Sequence, residues 1–248
     1  MKLFIDVGNT AIKFVTCEND KLTFVGRFYT QETSIEKMDN ILKDLPPFDD
    51  VVVSSVVPSA NTALSKYFKT NYDLKPRFIK IGDYPEINVD IENPEELGID
   101  LYCDLVEGYQ FSKQNKKPTL IIDLGTASKI MLIDEKGLFN TCVIIPGIEI
   151  SKKTLSSSTA QLPFYEVLKI KKVTETRNTV EVINASIYYG HIESINGLIN
   201  RIEKEIGKTC NYLITGGCAP IIESEIKGPH TYDPLLCFKG IQRIVKRG

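Results

Sequence analysis

The sequence lacks the patterns of several common functional classes. Its six cysteines form no C-x-x-C pair, which argues against a zinc ribbon or a thioredoxin-type redox motif. The two histidines, His191 and His230, lie far apart in the chain, so we expect structural roles for them and no metal site. We interpret the cysteines as reduced thiols, most of them buried.

Charge and hydropathy exclude further classes. The 30 basic and 32 acidic residues give a net charge of -2 and are mixed along the chain, so no nucleic acid or anionic membrane partner is predicted. No window approaches the roughly 18 apolar residues of a membrane span. Asp6 also interrupts the apolar start that a signal peptide would need. We therefore expect a cytoplasmic protein.

The sequence contains an internal repeat. LFIDVGNT at residues 3–10 recurs as LIIDLGTA at residues 120–127, and each copy continues with a second apolar stretch, a polar turn and a third strand-like stretch. This pattern predicts two three-stranded antiparallel meanders. Helical and apolar segments alternate after each meander, as in an α/β protein. The duplication predicts two α/β domains of one design, residues 1–115 and 116–248.

The start of each repeat has the chemistry of a phosphate-binding loop. Asp6 ends an apolar strand, Gly8 lets an anion approach the backbone, and Lys13 on the returning strand can reach a phosphate. The candidate ATP contacts of this first loop are Asp6, Val7, Gly8, Asn9, Thr10 and Lys13. A single copy alone is better explained as an ordinary hairpin turn with a surface lysine.

The second copy favours nucleotide binding. Two facing acidic hairpins can hold a cation and a polyphosphate that neither could bind alone. The second loop comprises Asp123, Leu124, Gly125 and Thr126. Farther along, Gly216 and Gly217 follow an apolar strand, and paired glycines let a base and a ribose lie flat against the backbone. We therefore expect a third, adenosine-binding loop there.

These residues, in this order, resemble the type III pantothenate kinases. The resemblance spans nearly the whole chain and no single segment of it is decisive. The matching segments are DVGNT (6–10), SSVVP (54–58), PEELGID (94–100), DLGTA (123–127), Pro146-Gly147, Ser151, Leu155, TAQLP (159–163), Asn178-Thr179, Gly190 and Gly216-Gly217.

The resemblance implies an actin-like (ribonuclease H-like) ATPase fold with the active site in the cleft between two duplicated domains. It implies ATP-dependent phosphorylation of pantothenate, the first step of coenzyme A synthesis, by a homodimer that uses K⁺ or NH₄⁺. By resemblance, Asp100 is the general base and Asp123 binds the monovalent cation. Mg²⁺ should accompany ATP because charge on the transferred phosphoryl group needs neutralising, and Asp6 with Asp123 can help to position this ion. The implied ATP contacts include Gly125 and Thr126. The implied substrate contacts are Gly98, Ile99, Asp100, Leu101 and Thr179.

Simpler roles remain open for two of these residues. Asp100 stands at the start of an apolar-faced helix and Thr179 precedes another, so each could act only as a helix cap. The sequence also departs from the family, with Leu101 where arginine usually follows the catalytic aspartate and Ile91 where an aromatic residue is usual. Lys129, where the family tends to have threonine, and Arg177 are possible compensating charges.

Two other functions remain open. A kinase of the same fold could act on a different small hydroxyl compound, since Leu101 and Ile91 make the expected substrate pocket more apolar. A nucleotide-binding regulator without catalysis is the second alternative. Retention of Asp100 argues against the regulator, because a binding module has no need of a base.

Overall fold

A computed structural model describes residues 1–158 and 172–247, except the side chains of residues 156–158. The family segment at 159–163 lies outside the described residues. The chain forms two compact units, each described separately below. The first unit comprises Met1–Phe111, Lys136–Phe139 and Leu235–Gly248, and the second comprises Ser112–Glu135 and Asn140–Pro234. The predicted domain limits at residues 115 and 116 stay a prediction.

Strands and helices alternate along the chain as the sequence predicts. The strands are β1 (Lys2–Val7), β2 (Ala11–Glu18), β3 (Lys21–Tyr29), β4 (Asp50–Ser55), β5 (Arg77–Phe78), β6 (Asn88–Val89), β7 (Thr119–Leu124), β8 (Ala127–Ile133), β9 (Leu138–Pro146), β10 (Asn211–Thr215) and β11 (His230–Tyr232). The α-helices are α1 (Ile35–Leu42), α2 (Pro58–Tyr72), α3 (Ile99–Asn115), α4 (Ile148–Ser158), α5 (Thr179–Ile206), α6 (Ala219–Ile222) and α7 (Leu236–Arg247).

The sheet of the first unit has the order β3-β2-β1-β4-β5. Strand β1 pairs antiparallel with β2 and parallel with β4, so it lies at the centre of the sheet. Its side chains from Leu3 to Val7 are all buried, which is typical of a strand covered on both faces. The predicted meander and its polar turn at 18–21 are confirmed. Asn19 and Asp20 in this turn have positive φ, as a tight hairpin turn requires.

The second unit repeats this design. Its strands have the order β9-β8-β7-β10-β11, with β7 antiparallel to β8 and parallel to β10. This is the order of the first sheet, third-second-first-fourth-fifth, so the predicted duplication is confirmed. Strand β6 pairs with Leu138 and Phe139, which belong to the first unit. A separate apolar core beneath the second sheet gathers residues of β7, β8, α5 and β10.

Helix α7 packs closely on helix α3 through a glycine. A methyl group at Gly240 would overlap the carbonyl oxygen of Cys103 and lie 2.6 Å from its carbonyl carbon. We therefore expect Gly240→Ala to lower the free energy of unfolding by about 1–3 kcal/mol, the usual cost of overpacking. Urea denaturation of the full chain measures this change.

Gly197→Ala is the matched control for this substitution. Gly197 also lies inside a helix, α5, but nothing stands within 4 Å of an added methyl group. Alanine is the better helix former by about 1 kcal/mol, so this variant should equal or exceed the wild type in stability. Equal stability of Gly240→Ala and Gly197→Ala would show that α7 does not pack on α3 at this glycine.

Each of the two histidines lies within hydrogen-bonding distance of another side chain. His191 is buried, its Nε2 lies 2.9 Å from Ser128 Oγ, and burial lowers the pKa of its imidazole. His230 Nε2 lies 3.0 Å from Glu223 Oε2. Both histidines therefore have the structural contacts that were predicted.

Within residues 1–158 and 172–247, no helix combines the length and the apolar character needed to cross a bilayer.

Candidate active site

The first loop places a buried carboxylate beside an ammonium group. Asp6 lies directly opposite Lys13 in the β1–β2 hairpin, and Lys13 Nζ is 3.1 Å from Asp6 Oδ2. The other oxygen, Asp6 Oδ1, is buried and has no hydrogen-bond partner among the described residues. A buried carboxylate oxygen without a partner is costly, so this atom is suited to binding a cation.

Backbone contacts fix the rest of the first loop. The amide of Gly8 donates to Ala11 O at 3.0 Å, and the hydroxyl of Thr30 donates to Gly8 O at 2.6 Å. The amide of Thr30 also donates to Thr10 O at 3.0 Å. Val7 is fully buried, whereas Asn9 and Thr10 are exposed. The loop therefore presents polar tips on a fixed backbone.

Asp100 lies in the first turn of α3, in the same unit as the first loop. Its Oδ1 accepts a hydrogen bond from the amide of Leu101 at 2.9 Å. Gly98 makes room for this carboxylate, because a methyl group there would overlap Asp100 Oδ1 and would lie 3.4 Å from Val56 Cγ1. The amide of Val56 in turn donates to Val7 O at 3.0 Å. Asp100 and Val56 therefore both lie close to Gly98, and Val56 is hydrogen-bonded to the end of β1.

The two neighbours of Asp100 differ in exposure. Ile99 is partly exposed, and Leu101, which replaces the family's arginine, is 8% exposed and counts among the apolar core residues. Ile91 is also partly exposed. A buried leucine cannot pair with a carboxylate, so the start of α3 offers less charge to an anionic substrate than the family pattern does.

The second loop repeats the pairing of an aspartate with a lysine. Asp123 lies opposite Lys129 in the β7–β8 hairpin, and Lys129 Nζ is 2.7 Å from Asp123 Oδ2. Thr126 is exposed, and its carbonyl accepts from the amide of Gly147 at 3.1 Å. A methyl group on Gly147 would lie 2.5 Å from Thr126 O, so only glycine fits.

The glycine turn after β10 lies against the second loop. Strand β10 pairs with β7 so that Thr215 is opposite Asp123. The amide of Cys218 donates to Leu124 O at 2.7 Å. Gly216 has a φ of +100° and lies against the backbone of Leu124. Gly217 is exposed, and no atom lies within 4 Å of the position that a methyl group there would take. The second unit thus holds the predicted phosphate loop and the predicted adenosine loop in contact with each other.

Thr179 is the exposed first residue of α5. The capping role belongs to Asn178, whose side-chain oxygen accepts from the amide of Glu181 at 3.0 Å. Arg177, considered above as a compensating charge, donates through its guanidinium to the carbonyls of Thr174 and Thr176, at 3.2 and 3.0 Å. Since Thr179 is not the cap, its hydroxyl is available for a ligand contact.

Three residues have roles in these loops that were not predicted from the sequence, although Gly147 was part of a matching segment and Lys129 was considered as a compensating charge. They are Thr30, which anchors the first loop, Gly147, which supports the second, and Lys129, which pairs with Asp123. The lysine had a signal, because both copies of the repeat carry a lysine on the strand that follows the aspartate. Among the described residues, no group of three or more histidine, cysteine or acidic side chains is arranged to hold a metal ion.

Comparison with known folds supports an actin-like architecture. A Campylobacter jejuni structure titled a conserved putative Baf family transcriptional activator is 20% identical, with a TM-score of 0.60 over 99% of this chain and 98% of that one. An archaeal actin homolog is 12% identical, with a TM-score of 0.53 over 100% of this chain and 99% of that one. At these identities the likeness concerns the fold alone, and the predicted fold class is confirmed.

Sequence comparison identifies the family. The family model described as type III pantothenate kinase matches residues 2–201. A type III pantothenate kinase of Persephonella marina is 32% identical over 98% of this chain and 98% of its own length. One of Halalkalibacterium halodurans is 30% identical over 100% of this chain and 99% of its own length. The chain belongs to the type III pantothenate kinase family.

Proposed function

We propose that the protein transfers the γ-phosphoryl group of ATP to the primary hydroxyl of pantothenate, the first step of coenzyme A synthesis. Family membership over nearly the whole chain supports this function. The observation that carries it is the retained Asp100, which lies beside Gly98 near Val56, a residue hydrogen-bonded to the strand that leads into a phosphate loop with a buried carboxylate. A module that only binds nucleotide has no need of that carboxylate.

ATP is bound by the three loops in this proposal. In the first loop, the exposed tips of Asn9 and Thr10, the backbone at Val7 and Gly8 and the ammonium of Lys13 contact the phosphates. In the second loop, Gly125 and Thr126 do the same. Gly216 and Gly217 support the adenosine.

Asp6 is the residue that fits magnesium. Mg²⁺ in phosphoryl-transfer sites is usually held by one or two carboxylates together with substrate phosphates. Asp6 Oδ1, buried and without a hydrogen-bond partner, is a suitable ligand of this kind. When bound, the ion neutralises charge on the transferred phosphoryl group. Lys13 keeps the other oxygen of Asp6 in place.

Asp100 acts as the general base. Its carboxylate accepts the proton of the pantothenate hydroxyl as that oxygen attacks the γ-phosphorus, and the leaving oxygen stays on ADP. The amide of Leu101 orients the carboxylate. Gly98, Ile99, Leu101 and Thr179 contact the pantothenate. We also propose that the protein is a cytoplasmic homodimer, which sedimentation of the purified chain and cell fractionation test.

The carboxylate expected to bind a monovalent cation is already paired. The resemblance predicts K⁺ or NH₄⁺ at Asp123, but that carboxylate already binds an ammonium group of the chain, on Lys129. Asp123 Oδ2 in its present contact therefore is not open to an added monovalent cation, and the proposed reaction has no step that uses one.

Direct detection of 4'-phosphopantothenate by mass spectrometry tests the proposed function. The purified chain is incubated with ATP, Mg²⁺ and pantothenate, and a panel of other small hydroxyl compounds is assayed in parallel. We expect product with pantothenate. Phosphorylation of a different compound alone would identify a kinase of the same fold with another substrate, and ATP binding without any product would favour the regulatory alternative.

Gly98→Ala tests how the Asp100 carboxylate is positioned. The added methyl group would overlap Asp100 Oδ1, so the carboxylate must move. Because misplacement of about 1 Å can cost about 10²-fold in rate, we expect kcat to fall by roughly that factor while the affinity for ATP is kept. Steady-state kinetics with pantothenate measure both quantities, and an unchanged kcat would contradict the positioning role of Gly98.

A further inference from the structure

Asp123, the residue expected to bind a monovalent cation, already binds one that is part of the chain. Lys129 Nζ is 2.7 Å from Asp123 Oδ2, the distance of a charge-assisted hydrogen bond. The side chains are 19% and 14% exposed, so water screens this pair much less than it screens a surface pair. A K⁺ ion bound at the same oxygen would have to displace the ammonium.

The backbone holds the two side chains together. Asp123 and Lys129 are directly opposite each other in the antiparallel β7–β8 pair, where cross-strand side chains are neighbours. Leu124 and Ser128 flank the pair on the two strands and are almost fully buried, which fixes both strands. Separating the pair would leave the poorly solvated Asp123 carboxylate without its ammonium partner, and that is strongly unfavourable.

The first loop has the same cross-strand pair of an aspartate and a lysine, with one difference. Lys13 contacts Asp6 from the position opposite it, but Asp6 keeps a buried oxygen without a hydrogen-bond partner. That oxygen suits magnesium. Among the described residues, neither carboxylate oxygen of Asp123 is both buried and without a hydrogen-bond partner. The repeat therefore provides one built-in ammonium group for each aspartate, and only Asp6 retains a buried oxygen for an added cation.

We infer that the ammonium group of Lys129 takes the place of the monovalent cation, so that the reaction of this protein requires neither K⁺ nor NH₄⁺. A lysine ammonium carries the same single positive charge as K⁺ and offers three N–H donors, as a bound ammonium ion would. Because it is tethered, it occupies the site without the entropic cost of capturing a free ion. The inference rests on the proposed kinase function.

The first test is the initial rate of phosphopantothenate formation with and without potassium. The rate is measured by mass spectrometry, so that no coupling enzyme adds a cation requirement of its own. Buffers contain Mg²⁺ with tetramethylammonium, Na⁺, K⁺ or NH₄⁺ at equal ionic strength. We expect the wild-type rates to agree within about twofold, a difference of under 0.5 kcal/mol in activation free energy. Activation of about tenfold or more by K⁺ would overturn the proposal.

Lys129→Thr provides the converse test. It restores the residue that the family tends to have and releases the Asp123 carboxylate. We expect its rate without K⁺ to fall by about tenfold or more, and K⁺ or NH₄⁺ to restore it. The matched control is Lys208→Thr, because Lys208 lies in the same unit, is 61% exposed and pairs loosely with Glu135 at 3.9 Å. The control should behave as the wild type.

Cation binding gives a readout that does not depend on activity. Thallium(I), a probe for potassium sites, is titrated against each protein and followed by ²⁰⁵Tl NMR. We expect saturable binding to Lys129→Thr and none to the wild type or to Lys208→Thr. Saturable binding to the wild type that is lost in Asp123→Asn would overturn the proposal. If Lys129→Thr does not fold, Lys129→Gln, which is closer in length, replaces it.

The thallium result also separates the two proposals. If the wild type forms no phosphopantothenate in any buffer, the proposed function fails. Thallium binding would still test whether Lys129 occupies the cation site at Asp123, because that measurement needs no substrate.

Discussion

Asp100→Asn is expected to lower kcat for pantothenate phosphorylation by about 10²–10⁴-fold, the usual contribution of a general base. An asparagine side chain has the shape of aspartate but cannot accept the proton of the attacking hydroxyl. Its oxygen can still accept the hydrogen bond that the amide of Leu101 donates to Asp100 Oδ1. The first turn of α3 should therefore keep its structure.

ATP binding should survive this substitution, and that separates catalysis from folding. The residues proposed to contact ATP lie in the two phosphate loops and the glycine turn, whereas the hydrogen bond to Asp100 Oδ1 comes from the amide of Leu101, which is not one of them. Single-turnover kinetics give the rate of the chemical step, and titration with a fluorescent ATP analogue gives the affinity.

Asp73→Asn is the matched control for Asp100→Asn. The substitution makes the same chemical change, aspartate to asparagine, at a side chain that is 86% exposed. The φ of Asp73 is 54°, a value that asparagine adopts readily. The control should keep wild-type kinetics. Wild-type turnover in Asp100→Asn would remove Asp100 as the base, and simultaneous loss of ATP binding would mean that it serves the structure instead.

Much of the fold was predictable because the repeat carries it. Asp6 and Asp123 each follow an apolar run that is buried on both faces, and each precedes a glycine and a second apolar stretch, so the sequence specified the hairpin twice. Polar residues at the ends of central strands also marked the loops. The start of α2 was less predictable. Pro58 comes directly after a strand-like apolar run, yet it is the first residue of the helix, a position that proline favours.

Partners distant in the chain were not predictable. Helix α7 has a clear apolar face, but nothing in its sequence says that Gly240 meets the backbone of Cys103 far earlier in the chain. The pairing of Lys129 with Asp123 was missed for a different reason. Lysine side chains usually extend into solvent, so the sequence indicated a charge near the loop without indicating which group it binds. Only the register of β7 and β8 decides that.

Gly216→Ala should destabilise the protein and weaken ATP binding together. Gly216 has a φ of +100°, which a residue with a side chain adopts only with strain, and a methyl group there would overlap the carbonyl oxygen of Leu124 and lie 2.5 Å from its carbonyl carbon. Strain and overpacking together are expected to cost about 3 kcal/mol or more. Urea denaturation and titration with a fluorescent ATP analogue measure the two effects.

Gly217→Ala separates the two roles of this turn. Nothing lies within 4 Å of a methyl group at Gly217, so its stability should match that of the wild type. If the adenosine lies against this backbone, the methyl group must still weaken ATP binding, because it occupies the surface that the base and the ribose need. Wild-type stability of Gly216→Ala would contradict the close approach to Leu124. Wild-type ATP affinity in Gly217→Ala would show that the adenosine does not lie against this turn. The glycine pair would then serve only to bring β10 against the second phosphate loop.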